Sequence, residues 1–262
     1  SALVAYLAGS KRIVGFKRYL RGGMLTDALL PMRDEQGRLV PCPVIDDYNK
    51  VAQAAGVPSP GHRMELFTTS ADDAGADAVF AKFNLRSNDD VVCLNPGAAF
   101  GAAKHWPAAS FAQLATDLAR TRGCKILTLC GPTEREQANQ IVKLANHSSV
   151  FSIASENLSL GLTKALVRRC ALLVTTDSGP RHFAAAFNRP VVTLYGPTFI
   201  DWTRTYFDKE INLQESVPCG PCQQRVCPTD HACMTLLTPG KVLAAAHELL
   251  GRATPLSERK AS

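Results

Sequence analysis

The chain has 262 residues and a mass of 28.2 kDa, with 46% hydrophobic and 20% charged residues, enough for one large or two ordinary domains and too apolar for wholesale disorder. No apolar run approaches the ~18 residues of a membrane-spanning helix, and the opening SALVAYLAGSKRIVGF sets basic residues after its apolar stretch, the reverse of a secretory signal. The net charge of +6 favours anionic partners but is too small and dispersed to indicate nucleic acid.

Residues 1–83 are irregular. A helix at 1–8, a strand at 12–16 (RIVGF), a helix over Asp46–Ala55 and another over Ala71–Phe83 are expected, and the Gly- and Pro-rich stretch from Arg18 to Pro43 reads as a long loop. The chain starts on Ser and its first residues read as mid-element, as in a fragment or a processed chain. From residue 90 onward the pattern is regular. Strand-length apolar runs fall at 91–94, 126–129, 150–153, 171–175 and 191–195. Between and after them come helical segments: one opening at Pro107 with Phe111, Leu114, Ala115 and Leu118 in register, then Glu134–Ala145, Leu158–Arg169, Gly179–Phe187 and Pro239–Leu250. Continuous apolar strands alternating with helices predict an α/β domain with a parallel sheet covered on both faces, a Rossmann-like fold. The expected organisation is residues 1–85 as the remainder of an N-terminal domain, 86–252 as a C-terminal Rossmann-like domain, and a polar tail at 253–262.

In such a sheet ligands sit beyond the carboxyl ends of the strands, and three loops there are unusual. Asn95–Pro107 is rich in glycine and alanine and brings Lys104 to a helix mouth, which suits a phosphate group; the bland account is a connector with an exposed lysine. Thr175–His182 opens a helix, with Ser178 or Asp177 expected to cap it, Gly179 and Pro180 in its first turn and His182 facing the same mouth; the bland account is a capped helix with a surface histidine. Glu134, after the strand at 126–129, suits a carboxylate that accepts bonds from ribose hydroxyls, although acidic residues are common at helix starts. Together the loops describe a nucleotide diphosphate site.

Seven of the nine cysteines fall into two groups. Cys93, Cys130 and Cys170 lie in or beside apolar runs and read as small buried hydrophobes. Cys219, Cys222, Cys227 and Cys233 are spaced so that they could form a structural zinc site, with His231 able to replace one thiol, or two disulfides, or unpaired thiols packed in a loop. Only one CxxC is present and it does not open a helix after a strand, so a structural staple is expected ahead of a redox role.

The strings PGAAFGAAKHWP, TTDSGPRHFAAAF, RPVVTLYGPT and CGPCQQRVCPTDHACM, in this order, resemble the ADP-heptose:lipopolysaccharide heptosyltransferases of glycosyltransferase family 9, and most closely their heptosyltransferase II branch. The likeness runs through nearly all of residues 91–250 and extends to SALVAYLAGSKRIVGF, Arg21 and Met24–Asp27. It implies a GT-B glycosyltransferase of two Rossmann-like domains, the N-terminal one incomplete here, which transfers L-glycero-D-manno-heptose from ADP-heptose to the inner core of lipopolysaccharide with inversion. By motif, Lys104 would contact phosphate, Glu134 the ribose, Asp177 the donor heptose, and Ser178, Gly179 and His182 the diphosphate. Ala98 and Ala99 stand where relatives often carry a hydroxyl or an acid, so those contacts would fall to backbone amides. No cofactor is obligatory in this scheme. The family's base is an aspartate in a PxGD-like segment that this chain does not contain; it is expected upstream of Ser1, leaving a chain that binds donor but transfers poorly or not at all. A cytoplasmic setting with peripheral contact at the inner membrane is implied. The competing readings are another GT-B nucleotide-sugar enzyme, transferase or epimerase, and a non-catalytic nucleotide-sugar-binding module.

Overall fold

The computed structural model describes residues 2–252; the polar tail expected from Ala253 lies outside the described residues. The elements in chain order are α1 (Ala2–Leu7), β1 (Val14–Phe16), β2 (Asp27–Leu29), α2 (Val44–Ala54), α3 (Ser70–Lys82), β3 (Val91–Asn95), α4 (Ala108–Arg122), β4 (Lys125–Thr128), α5 (Arg135–Ala145) and β5 (Val150–Ser152). They continue with α6 (Leu160–Arg169), β6 (Leu172–Thr176), α7 (Gly179–Ala186), β7 (Val191–Tyr195), α8 (Ile200–Thr203), β8 (Glu210–Gln214), α9 (Ala232–Thr235) and α10 (Pro239–Arg252). The described residues cluster into two units, one running to Arg63 with Phe199–Tyr206 added, the other taking Met64–Thr198 and the described residues from Phe207 on.

The larger unit is built on six parallel strands in the order β5-β4-β3-β6-β7-β8. The order reverses between β3 and β6, which makes their carboxyl ends the topological switch point where such sheets take ligands. Every residue of β3, β6 and β7 is buried, because helices cover both faces. Side chains alternate accordingly: Val92, Leu94, Ile126, Leu172, Val174 and Val192 join one core with α4 and α10, while Val91, Cys93, Leu127, Leu173 and Val191 join the other with α3, α6 and α7.

Helix α4 carries the expected apolar face, with Phe111, Leu114, Ala115 and Leu118 all fully buried, each large side chain there contributing about 1.5–3 kcal/mol of hydrophobic stabilisation. It ends on Gly123 in the left-handed conformation that a helix C-terminus favours. Trp106, just before α4, packs edge-on against Phe111 and donates its indole N–H to the carbonyl of Leu237 at 2.8 Å. Helix α3 starts with a full capping box between Thr69 and Asp72.

Two strands depart from the sequence reading. β8 has no counterpart among the expected strands: it is an edge strand, half-buried throughout, with only Ile211 and Leu213 turned to the core. β2 lies inside the stretch expected to be a loop and pairs in parallel with β1 in the smaller unit. There Arg12 bridges to Asp27 at 3.1 Å, and Thr26 hydrogen-bonds the backbone of Ile13, tying the two strands together at their start.

Candidate functional site

The loop after β3 and the β6–α7 junction meet at the switch point. Lys104, in a 3-10 turn at Ala102–Lys104, sends its ammonium to the Asp177 carboxylate at 2.6 Å and to the Asp177 carbonyl at 2.9 Å. Both residues are nearly out of solvent, at 8% and 5% exposure, so the lysine is not the exposed one of the bland account. Thr198, in the turn after β7, donates to the same carboxylate at 2.8 Å.

Behind Asp177 lies a second pair. Arg181, on the first turn of α7, is 1% exposed. It reaches Asp177 at 3.7 Å and donates from Nε and Nη2 to Glu210 at 3.0 and 2.8 Å. Thr193 donates to the same Glu210 oxygen, and the Tyr195 ring lies 5.4 Å from the guanidinium. Two cations and two anions thus compensate one another beneath the mouth, the condition under which buried charge is tolerated.

Ser178 occupies the N-cap position of α7 but does not cap it with its side chain, contrary to one expectation. Its hydroxyl is held by the Asn95 amide at 3.0 Å and by Thr175 and the Thr176 carbonyl, while the Asp177 carboxylate is taken by Lys104. Gly179, the first residue of α7, is exposed. His182, one turn in and half-buried, is held below the ordinary histidine range, first by burial and then by the neighbouring Arg181 charge, with Glu210 and Asp177 opposing.

Glu134 stands at the N-cap position of α5 and its carboxylate accepts the Gly131 N–H at 2.8 Å. A β-carbon on Gly97 would lie 2.1 Å from Glu134 Oε1, so the missing side chain at Gly97 is what admits the carboxylate to the loop after β3. Thr176 fixes that loop by donating to the Gly97 carbonyl at 2.7 Å. Lys104, Asp177, Ser178, Gly179 and His182 are thus one group at the carboxyl ends of β3 and β6, with Glu134 beside it after β4.

The cysteine-rich segment docks on the same mouth. The Ala103 N–H donates to the Arg225 carbonyl at 3.0 Å, Arg225 Nε donates to the Phe100 carbonyl at 2.7 Å, and the Gln223 N–H donates to the Pro197 carbonyl at 2.8 Å. His231 Nε2 lies 2.7 Å from the Ala103 carbonyl oxygen. Cys219, Cys222, Cys227 and Cys233 are all free thiols, ranging from exposed to buried. Among the described residues no group of three or more His, Cys, Asp or Glu is placed to hold a metal ion, so of the three alternatives the structure does not support zinc. Hydrogen bonds to the neighbouring loops, rather than sulfur, position the segment. Cys93, Cys130 and Cys170 are buried core thiols as expected; burial pushes Cys130 up to about 11.

The reading of the sequence missed Arg181, Glu210 and Thr198, whose roles depend on partners far along the chain. It also missed a cavity of about 680 Å³ in the smaller unit, where Asp46 accepts from Tyr206 at 2.6 Å and lies 2.7 Å from His62 Nε2. Among the described residues no helix is long and apolar enough to cross a membrane.

The model of glycosyltransferase family 9 (heptosyltransferase) matches residues 1–233. Lipooligosaccharide heptosyltransferase 2 of Campylobacter jejuni is 34% identical over 172 residues, covering 63% of this chain and 53% of that protein. Lipopolysaccharide heptosyltransferase 2 of Salmonella typhimurium is 29% identical over 260 residues, covering 95% of this chain and 72% of that protein. The solved structure of E. coli ADP-heptose lipopolysaccharide heptosyltransferase II superposes with a TM-score of 0.72 at 26% identity, over 96% of this chain and 73% of that one. The chain spans about half the length of the first of these relatives and about three quarters of the other two. With a switch-point site on a GT-B-type parallel sheet and a family match over most of its length, this chain belongs to glycosyltransferase family 9, the heptosyltransferases.

Proposed function

We propose that this chain serves in transfer of L-glycero-D-manno-heptose from ADP-heptose to the inner core of lipopolysaccharide, with inversion at the anomeric carbon. The observation that carries the proposal is the Lys104–Asp177 pair set between the glycine-rich loop after β3 and the start of α7, within a chain of this family. The larger unit, chiefly residues 86–252, is assigned to the donor. Glu134 takes the ribose hydroxyls and Asp177 the heptose. Lys104, Ser178, the Gly179 amide and His182 take the diphosphate.

The acceptor hydroxyl attacks the anomeric carbon as the bond from that carbon to the diphosphate oxygen breaks, and the hydroxyl proton passes to a base. No residue of this chain is assigned as that base. What the chain contributes is stabilisation of the negative charge that gathers on departing ADP, through Lys104, the α7 start and His182. Removing one preorganised donor of this kind costs about 2.7–4 kcal/mol of transition-state stabilisation in other enzymes. The scheme calls on no metal, because Lys104 supplies positive charge and the α7 start and His182 supply hydrogen-bond donors. The smaller unit, with its cavity, is assigned to the acceptor. The setting proposed is the cytoplasmic face of the inner membrane, by peripheral contact.

Calorimetric binding of ADP-heptose to wild type, Lys104→Ala, Asp177→Ala and Glu134→Gln tests the donor assignment. Glu134→Gln disturbs neither buried charge and keeps the test informative should the other variants unfold. Undiminished binding in all three would overturn it. Heptose transfer to a lipopolysaccharide acceptor, assayed with this chain, separates an enzyme from a binding module.

A further inference from the structure

The charges beneath the proposed donor site already balance. Lys104 and Arg181 face Asp177 and Glu210, all four are buried or nearly so, and the Lys104 ammonium gives two of its three N–H groups to Asp177. A diphosphate brings at least two further negative charges, and a lysine already paired with a carboxylate at 2.6 Å attracts it less strongly than an unpaired lysine would.

The cysteine-rich segment offers the missing cation. The Arg225 side chain is exposed, and among the described residues Nε is its only hydrogen-bonded side-chain nitrogen. Its guanidinium lies 5.7 Å from the centre of the Phe100 ring, and the Lys104 ammonium lies 4.8 Å from the same centre. The two cations therefore flank one side chain of the loop that follows β3. The backbone fixes this register. Gly101, at φ 153°, has a conformation that side-chain-bearing residues rarely adopt, and a β-carbon there would lie 2.3 Å from the Arg225 carbonyl oxygen. The Ala103 N–H donates to that same oxygen, and Gln223 anchors the segment to the turn after β7.

We propose that Arg225 is a diphosphate-binding residue of the donor site, and that the cysteine-rich segment exists in this position to present it. The proposal rests on the donor-site reading above. A guanidinium suits such a contact because it is charged at every working pH and its planar fork matches two phosphate oxygens at once. With Nε held on the Phe100 carbonyl, the two outer nitrogens remain to engage a phosphate.

Calorimetric titration of wild type, Arg225→Gln and Arg225→Lys with ADP and with adenosine tests it. Arg225→Gln should weaken ADP about tenfold, the scale of one charge-assisted hydrogen bond, and leave adenosine unchanged; Arg225→Lys should recover part of the loss. Raising salt should narrow the gap between wild type and Arg225→Gln. Unchanged ADP affinity, or an equal loss for ADP and adenosine with a lowered melting temperature, would make Arg225 only an anchor of the loop and overturn the proposal. Wild type that binds neither ligand would instead sink the donor-site reading itself.

Discussion

The ammonium of Lys104 and the carboxylate of Asp177 meet at 2.6 Å across 73 residues of chain, with both side chains almost removed from water. The pair sits on top of a second one, Arg181 with Glu210, and Asp177 is shared between them. Each charge is thus held by another that the fold alone brings near. A site built this way is rigid before any ligand arrives, which is the property that electrostatic catalysis requires.

Breaking the pair from one side should be far more harmful than removing it whole. Lys104→Met leaves the Asp177 carboxylate buried beside Thr198 and Arg181, and Asp177→Leu leaves a buried ammonium. Either should cost about 3–5 kcal/mol, whereas Lys104→Met with Asp177→Leu should cost much less than the sum. Urea unfolding of the two single variants and the double variant measures this. Additive losses would show that the two charges are not coupled.

Gly97→Ala should separate folding from binding. The new methyl would meet the Glu134 carboxylate, the far end of a flexible side chain, and not backbone. The protein should fold with a near-normal midpoint while Glu134 is driven from the mouth, losing its bond to the Gly131 N–H. Nucleotide affinity should fall roughly tenfold or more, as expected when a charged hydrogen-bonding group is displaced. Calorimetry with ADP and a melting curve on the same sample decide it; intact affinity would remove Glu134 from the nucleotide site.

Much of this is legible in the sequence, for identifiable reasons. β3, β4, β6 and β7 are buried on both faces and so read as unbroken apolar runs, and their loops carry the glycines that close approach requires. β8 escapes because an edge strand needs only one apolar face, and EINLQ offers just Ile211 and Leu213. Missing β8 hides Glu210, its first residue, and with it the reason that Arg181 can be buried. The burial of Lys104 is equally hidden, since a lysine in a glycine-rich loop looks solvated until Asp177 is seen beside it. The motif locates the carboxylate; only the fold reveals which cation it holds.

The state of His182 should be visible in the pH dependence of stability. Its folded-state pKa is held below 6.5, chiefly by burial and secondarily by Arg181, so the unfolded chain binds a proton more readily than the native one. Stability should therefore fall as the pH drops below 6.5, and level off only once the folded-state value is passed. His182→Gln removes this group's share, so the wild-type-minus-variant difference in unfolding free energy should become less favourable to wild type as pH falls from about 7 to about 5. A flat difference would mean that His182 titrates alike in both states.

The thiols should sort by environment under alkylation. Burial raises Cys124 and Cys130 to about 11, and Cys93 is raised by its contact with Cys170 and by burial, so all of these should react only after unfolding. Cys227 differs: the Thr229 hydroxyl, followed by nearby backbone N–H groups, lowers it below the ordinary thiol range. With iodoacetamide at neutral pH and mass-spectrometric mapping, Cys227 should be modified early in the native protein, in the same segment that carries Arg225. Thr229→Ala should slow that labelling, since the hydroxyl lies 3.4 Å from Cys227, without changing the rate at the exposed Cys219. Equal labelling of Cys227 and Cys130 in the native state would contradict the burial that divides them, and an unchanged Cys227 rate in Thr229→Ala would show that the hydroxyl does not stabilise the thiolate.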